Sequence, residues 1–324
     1  MTYVVSQEFD GATVYQYLFK KGYSYNAVKK LKQYMGQLTV NGFAVAANVV
    51  LRAGDVLAVS EKETDKSRVL PVCMPIEVVY EDEYLLLVNK PPHLATLPTH
   101  AHYGASLANG VTAYFIERGV SDFVFRAVNR LDADTSGLLI VAKKNFIQHA
   151  LLGKIKKTYF LVVNGGIEES GEIALPIKDD SVKKLRYVAP DGLYSLTRYA
   201  PIGMGNDDGI SFDGSNNIVI ATENKVPLEG NDGTVITTEK EMPTKEKNGM
   251  TAILAEAVTG RTHQLRVHFA AIGHPIVGDK KYGTPSALID RQALHSYKAE
   301  FVHPVTNALC EIVCPVPDDI KKLF

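Results

Sequence analysis

Asn129-Arg130-Leu131-Asp132-Ala133-Asp134-Thr135-Ser136-Gly137-Leu138-Leu139-Ile140-Val141-Ala142-Lys143 is the stretch on which the reading of this chain turns. A cation and a carboxylate two residues apart lead into Thr, Ser and Gly, residues that turn a chain, and then into an apolar run that must be buried. Asp132 therefore stands at the rim of a core. If a neighbouring positive charge holds it ionised and water is kept away, it can serve as a nucleophile or as an electrostatic catalyst. The plainer alternative is an ion pair between Arg130 and Asp132 beside a tight turn.

Working outward, a second long segment combines the same residue types: Gly260-Arg261-Thr262-His263-Gln264-Leu265-Arg266-Val267-His268, followed by Gly273-His274-Pro275-Ile276 and Gly278-Asp279-Lys280-Lys281-Tyr282-Gly283. Gln264 and Arg266 alternate with Leu265 and Val267, an arrangement that presents Arg266 to a polar site and buries its neighbours. His263 and His268 are five apart and lack a companion glutamate, which argues against the four-residue spacing of a helical zinc site. Between the two segments, Asn145 to Ile155 reads as a helix and Lys156 to Val163 as a strand carrying Tyr159. Upstream, Ile76–Tyr80 and Tyr84–Lys90 read as strands flanking an acidic turn, the second stopped by Pro91-Pro92. His93, His100 and His102 follow in a loop without a usual ligand spacing, and are read as exposed loop histidines.

Together these motifs resemble the RluA-type pseudouridine synthases, enzymes that isomerise uridine within RNA. The resemblance rests on Arg130-Leu131-Asp132 with Thr135-Ser136-Gly137-Leu138-Leu139, on Asn89-Lys90-Pro91, on Lys157, Tyr159 and Val163, and on the segment around Arg266, in the family's order. It implies catalytic roles for Asp132, Tyr159 and Arg266, with Arg266 as ion-pair partner of Asp132 and Tyr159 stacked on the flipped base. It also implies that Arg130 enters the RNA and that Leu265 supplies the apolar wall of the pocket. The reaction needs no cofactor and no metal, and its partner is RNA, ribosomal RNA of the large subunit being favoured over transfer RNA. The position before Arg130, commonly His in that family, is Asn129 here. The implied fold is α+β, a catalytic domain on a mixed, mostly antiparallel sheet with a central cleft.

The first 60 residues read as a separate small α/β module. Val14, Tyr17 and Leu18, then Val28, Leu31 and Met35, mark two short amphipathic helices, the second ended by Gly36. Strands at 38–42, 49–51 and 54–59 turn through Asn41-Gly42 and Gly54-Asp55. This order resembles the S-four RNA-binding module. Lys20, Lys21, Lys29, Lys30 and Lys32 would meet phosphates, although Ser24-Tyr25-Asn26 stands where that module carries arginines, and a lysine-rich face is also what any solvated helix presents. Residues 61–74, opening with the charged run 61–68, form a linker to a catalytic domain over 75–324. Residues 203–249, polar, glycine-rich and net acidic, form an insertion. Lys183, Lys184 and Arg186 make a second basic cluster.

The 324 residues, 46% hydrophobic and 22% charged, suit two soluble globular units. No apolar run reaches membrane-spanning length and the start lacks a signal-peptide pattern, so the cytoplasm is expected, with a monomer as the default. A net charge of −1 gives no global attraction to nucleic acid, leaving that to local basic patches. Cys73, Cys310 and Cys314 are read as small buried residues rather than a disulfide framework. Two other functions compete: an RNA-binding or ribosome-assembly protein without catalysis, and a glycoside hydrolase. The hydrolase needs a second carboxylate acting as acid, for which Asp134 is the sole close candidate.

Overall fold

The computed structural model describes residues 2–23, 25–32, 37–60, 69–98, 106–180, 185–202, 249–323 and four residue pairs between 211 and 247. The Gly36 helix stop, the linker segment 61–68, His100, His102, Lys183, Lys184 and most of the 203–249 insertion lie outside them.

The N-terminal unit holds β1 (Thr2–Val4), α1 (Val14–Lys20), α2 (Tyr25–Lys32), β2 (Leu38–Val40), β3 (Phe43–Ala44) and β4 (Val56–Val59), with an antiparallel sheet in the order β1-β4-β2-β3. Helix α1 starts at a capping box in which Thr13 accepts from the Gln16 N–H and the Gln16 side chain accepts from the Thr13 N–H. Asn41 and Gly42, both with positive φ, turn β2 into β3. The strand expected at 49–51 is absent, and Val50 instead makes an isolated bridge to Thr13. Val14, Leu18, Val28, Leu31, Leu38 and Leu57 form a core of their own. This unit also packs against the rest of the chain: Tyr23 stacks on Phe146 at 5.9 Å between ring centroids.

The remainder is built on one large mixed sheet. Its elements are β5 (Glu77–Glu81), β6 (Leu85–Lys90), α3 (Leu107–Glu117), β7 (Ser136–Ala142), α4 (Asn145–Leu151), β8 (Lys156–Asn164), β9 (Gly171–Ile173), β10 (Ile177–Asp180), β11 (Leu185–Val188) and β12 (Thr197–Pro201). The two-residue strands β13 (Ser211–Phe212), β14 (Ile218–Val219), β15 (Val235–Ile236) and β16 (Glu246–Lys247) precede β17 (Met250–Ala257), α5 (Gln264–Ala271), β18 (Leu294–Val302), β19 (Leu309–Val313) and α6 (Asp318–Lys321). The sheet runs β5-β6-β7-β18-β8-β17-β12-β9, and along this path only β7 with β18 is parallel. Helix α3 was not anticipated from the sequence, although Leu107, Ala108, Val111 and Phe115 give it a buried face at helical spacing. Helix α4 stops at Leu151, four residues short of the expected end. Cys310 and Cys314 are buried as expected, whereas Cys73 is exposed.

Strand β7 is buried at every position because the sheet is covered on both sides: Leu139 and Val141 enter one apolar cluster, Leu138, Ile140 and Ala142 the other. Its parallel approach to β18 depends on Gly137. There φ is +106°, and a Cβ would lie 2.3 Å from the Ser296 carbonyl oxygen and 2.7 Å from its nitrogen, so only glycine lets the two backbones meet. Gly137→Ala is expected to lose about 3 kcal/mol of stability or more, because strain and backbone overlap act together. An unchanged urea midpoint would contradict this.

Candidate active site

Asp132 lies in the loop that feeds β7, and its backbone is fixed from both sides. Thr96 Oγ1 donates to the Leu131 carbonyl at 2.9 Å and accepts from the Leu131 N–H. The Thr135 N–H closes a turn on the Asp132 carbonyl. From the end of β6, the fully buried Lys90 donates to the carbonyls of Pro91, Leu94 and Ala133, each at 2.8 Å. Three donors thus meet three acceptors, which joins the loop after β6 to the residue after Asp132. Asn129 adds a fourth tie, its amide donating to the Leu138 carbonyl and accepting from the Ile140 N–H. The departure from histidine at 129 is thus used in holding the loop against β7.

The partner of Asp132 is Arg266, and not its neighbour Arg130. Arg266 Nη1 donates to Asp132 Oδ2 at 2.9 Å across 134 residues of chain. The remaining edge of the guanidinium is gripped by Asp279, with Nε to Oδ2 at 2.7 Å and Nη2 to Oδ1 at 2.8 Å. Such a two-bond fork fixes the guanidinium plane. The Asp279 side chain is fully buried, whereas 26% of the Asp132 side chain stays exposed. One carboxylate is a permanent structural anion, and the other faces outward. Burial alone would raise the Asp279 carboxyl, but the Arg266 bonds and charge, with the N–H groups of Lys281 and Tyr282, hold it below the ordinary value. Burial likewise disfavours the Arg266 cation, and its two carboxylates more than reverse that.

Local chain geometry delivers these groups. Gly278, with φ +74° and a Cβ position only 2.2 Å from the Arg291 carbonyl oxygen, brings Asp279 down onto the core. Arg266 sits in the first turn of α5, which corrects the alternating pattern expected from 264–267. Gln264, Leu265, Arg266 and Val267 are all buried on a helix. Gln264 does not face the site, because its amide bonds the Leu196 carbonyl and Thr197 Oγ1 and ties α5 to β12. His268 similarly bonds Thr197 Oγ1 and the Leu175 carbonyl. His263 caps α5 in the left-handed region at φ 57°, with Nε2 3.6 Å from Asp132 Oδ2 and Nδ1 2.7 Å from the Tyr282 hydroxyl.

Tyr159 projects from β8 opposite Ser296 of β18 and Ala255 of β17. Burial first, and the Asp132 charge second, raise its phenol, so the hydroxyl keeps its proton. Leu265 is buried in the core cluster that also holds Tyr159. Arg130 is exposed. His93, half-exposed, sits between Asp134 at 3.0 Å and Asp290 at 3.4 Å. Asp134 therefore engages His93 through its side chain, which leaves the hydrolase reading without its second carboxylate beside Asp132. Asp279, His263, Tyr282 and Lys90 are the site residues to which the sequence assigned no role. A buried arginine, with five donors to satisfy, was the signal that a further acceptor had to exist.

A family model described as RNA pseudouridylate synthase matches residues 84–271. The uncharacterised RNA pseudouridine synthase YjbO of Bacillus subtilis is 33% identical over 96% of this chain and 98% of its own length. Ribosomal large subunit pseudouridine synthase D of Vibrio cholerae is 28% identical over 91% of the chain and 85% of its own length. In fold, the chain resembles human RNA pseudouridylate synthase domain containing 4, with a TM-score of 0.50 at 16% identity, covering 76% of this chain and 92% of the other. Among the described residues no helix is long and apolar enough to cross a membrane.

The Lys90 anchor has a pH signature. Burial lowers its ammonium from 10.5 to about 7, Asp134 and Asp132 pulling it back up and Arg291 pushing it down. Between those values the unfolded chain binds the extra proton, so the penalty is complete below about pH 7 and is relieved as pH rises. The stability difference between wild type and Lys90→Met is expected to grow in favour of wild type from pH 7 to pH 10. A difference that stays flat with pH would contradict the assignment.

Proposed function

The chain belongs to the RNA pseudouridylate synthase family, and from that premise we propose that it uses Asp132 to isomerise specific uridines of large-subunit ribosomal RNA. The enzyme class, an isomerase acting on RNA, follows from membership. The choice of ribosomal over transfer RNA is supported by the relatives named ribosomal large subunit pseudouridine synthase D, from three bacteria, at 27–29% identity.

The observation that carries the role of Asp132 is the three-residue array Asp132–Arg266–Asp279. Isomerisation breaks the bond from ribose C1′ to uracil N1, turns the base and joins C1′ to C5, with loss of the C5 proton. Attack on the sugar, attack on the ring and proton removal toward a glycal all begin from an ionised carboxylate. A lone carboxylate in a closed pocket would take up a proton instead of remaining charged. Arg266 supplies the compensating charge, and Asp279 keeps Arg266 from turning away. Because Oδ2 of Asp132 is engaged by Arg266, Oδ1 is left for the nucleoside.

The other roles follow from extruding a base. Unstacking costs a few kcal/mol, and the exposed Arg130 guanidinium is free to fill the gap by stacking on neighbouring bases. Tyr159 stacks on the uracil, worth about 1–3 kcal/mol, and its protonated hydroxyl can hold or deliver a proton at the sugar. Leu265 walls the pocket against water, which would otherwise divert the reaction to hydrolysis. Lys20, Lys21 and Lys29, all exposed on the N-terminal helices, add phosphate contacts.

Release of tritium from C5 of labelled uridine in bulk RNA tests the reaction. Wild type is expected to release it, and Asp132→Asn to be slower by at least about 10³-fold. Equal release from both, or free uracil as product, would overturn the reading. Mapping the pseudouridines lost on gene deletion tests the substrate, with losses confined to transfer RNA counting against the ribosomal assignment.

A further inference from the structure

We propose that His263 is a positioning residue for the reaction, its tautomer set by Tyr282 so that Nε2–H faces Asp132 Oδ2 and turns Oδ1 toward the nucleoside. The proposal rests on Asp132 being the reacting carboxylate, and it deepens that reading.

The argument starts from the protons. Among the described residues the Tyr282 hydroxyl has two partners, the Arg186 N–H at 3.1 Å and His263 Nδ1 at 2.7 Å. The Arg186 N–H can only donate. The arrangement that gives every proton an acceptor has the phenol donating to Nδ1, and a neutral imidazole that accepts at Nδ1 carries its hydrogen at Nε2. The Asp132 Oδ2 atom stands 3.6 Å from that nitrogen, just beyond hydrogen-bond distance. Pairs of this kind are long in an unliganded enzyme and shorten when substrate docks.

The surroundings favour the neutral ring. Arg266, Lys281 and Arg186 face it as cations, Asp132 as the opposing anion, and Tyr282 as a neutral donor. Burial is the largest influence and lowers the imidazole below 6.5, with the three cations adding to it against Asp132. A protonated His263 would reverse the Tyr282 bond, Nδ1–H donating to the phenol oxygen, and would leave the phenol hydrogen without that acceptor. The backbone at His263, with φ of 57°, is in the left-handed region that is uncommon outside glycine, at the residue that precedes α5. Tyr282 is itself tied in. Its N–H donates to Asp279 Oδ1 and its ring lies 5.2 Å from the Arg266 guanidinium carbon. One tyrosine thus contacts both Arg266, which bonds Asp132 Oδ2, and His263, which stands 3.6 Å from it, and through the Arg186 N–H it reaches β11.

Two measurements on the full chain test this. In the first, single-turnover tritium release from labelled bulk RNA is followed for His263→Asn, which tolerates the left-handed backbone but cannot reach Asp132. His263→Gln, whose amide N–H can reach it, and Tyr282→Phe are followed alongside. His263→Asn is expected to lower the maximal rate about a hundredfold, the scale of a small misplacement of a reacting group. The half-saturating enzyme concentration should stay unchanged, and His263→Gln should recover most of the rate. A wild-type rate in His263→Asn, or equal losses in Asn and Gln, would overturn the proposal.

In the second, nitrogen-15 spectra of histidine-labelled protein should place the His263 hydrogen on Nε2 in wild type and in Asp132→Asn, and a mixture of tautomers in Tyr282→Phe. A hydrogen fixed on Nδ1 would overturn the proposal whatever the turnover. If wild type releases no tritium at all, the synthase reading fails, and the nitrogen-15 result alone still decides the tautomer.

Discussion

A guanidinium shared between two carboxylates, one fully buried and one partly exposed, is the constraint on which the larger unit of this molecule depends. Arg266 cannot be buried alone, and removing one partner from such a buried pair costs about 3–5 kcal/mol. Asp279 satisfies it through Nε and Nη2, which leaves Nη1 pointing at Asp132. The fold reads as the means of bringing these three residues together. Helix α5 starts after the short connection 258–263 from β17, and the chain beyond it returns to the sheet, where the Val277 N–H bonds the Val162 carbonyl of β8. Gly278 then admits the close approach that sets Asp279 in place.

The same economy governs the backbone around Asp132. Lys90, Thr96 and Asn129 each join that loop to a different neighbour, and Arg291 adds a bond from its guanidinium to the Asp134 carbonyl while Asp319 of α6 holds its other edge. These are side-chain bonds to backbone, which fix the position of Asp132 without occupying its carboxylate. In the role proposed for Asp132, preorganisation of this kind spares the cost of ordering the carboxylate at the moment of reaction.

Much of this was legible in the sequence. The apolar run 138–142 could only be a buried strand, the strands around 77–90 were bounded by turn residues and by Pro91, and Asp132 stood out as a carboxylate leading into a core. The pairing of Asp132 with Arg266 was implied by a resemblance and is met by the geometry. What escaped has physical reasons. Within eight residues, a pattern with Leu265, Val267 and Phe269 apolar fits a strand, while a helix buried on nearly every side shows no clear period. Asp279 stands in a Gly-Asp pair typical of turns, and acquires meaning from a partner thirteen residues earlier on another element. Lys90 looked like the end of a strand, since nothing local shows that three carbonyls converge on its ammonium. His263 was weighed as a metal ligand by its spacing to His268, whereas the structure gives the two rings different jobs.

The central claim is that Arg266 serves Asp132 only because Asp279 holds it. The most direct measurement is a double-mutant cycle on the single-turnover rate with Arg266→Gln, Asp279→Asn and the two combined. Coupled residues are expected to give a double variant no slower than the slower single, each single already having lost most of the rate. Losses that simply multiply, with Asp279→Asn alone near wild type, would contradict the account.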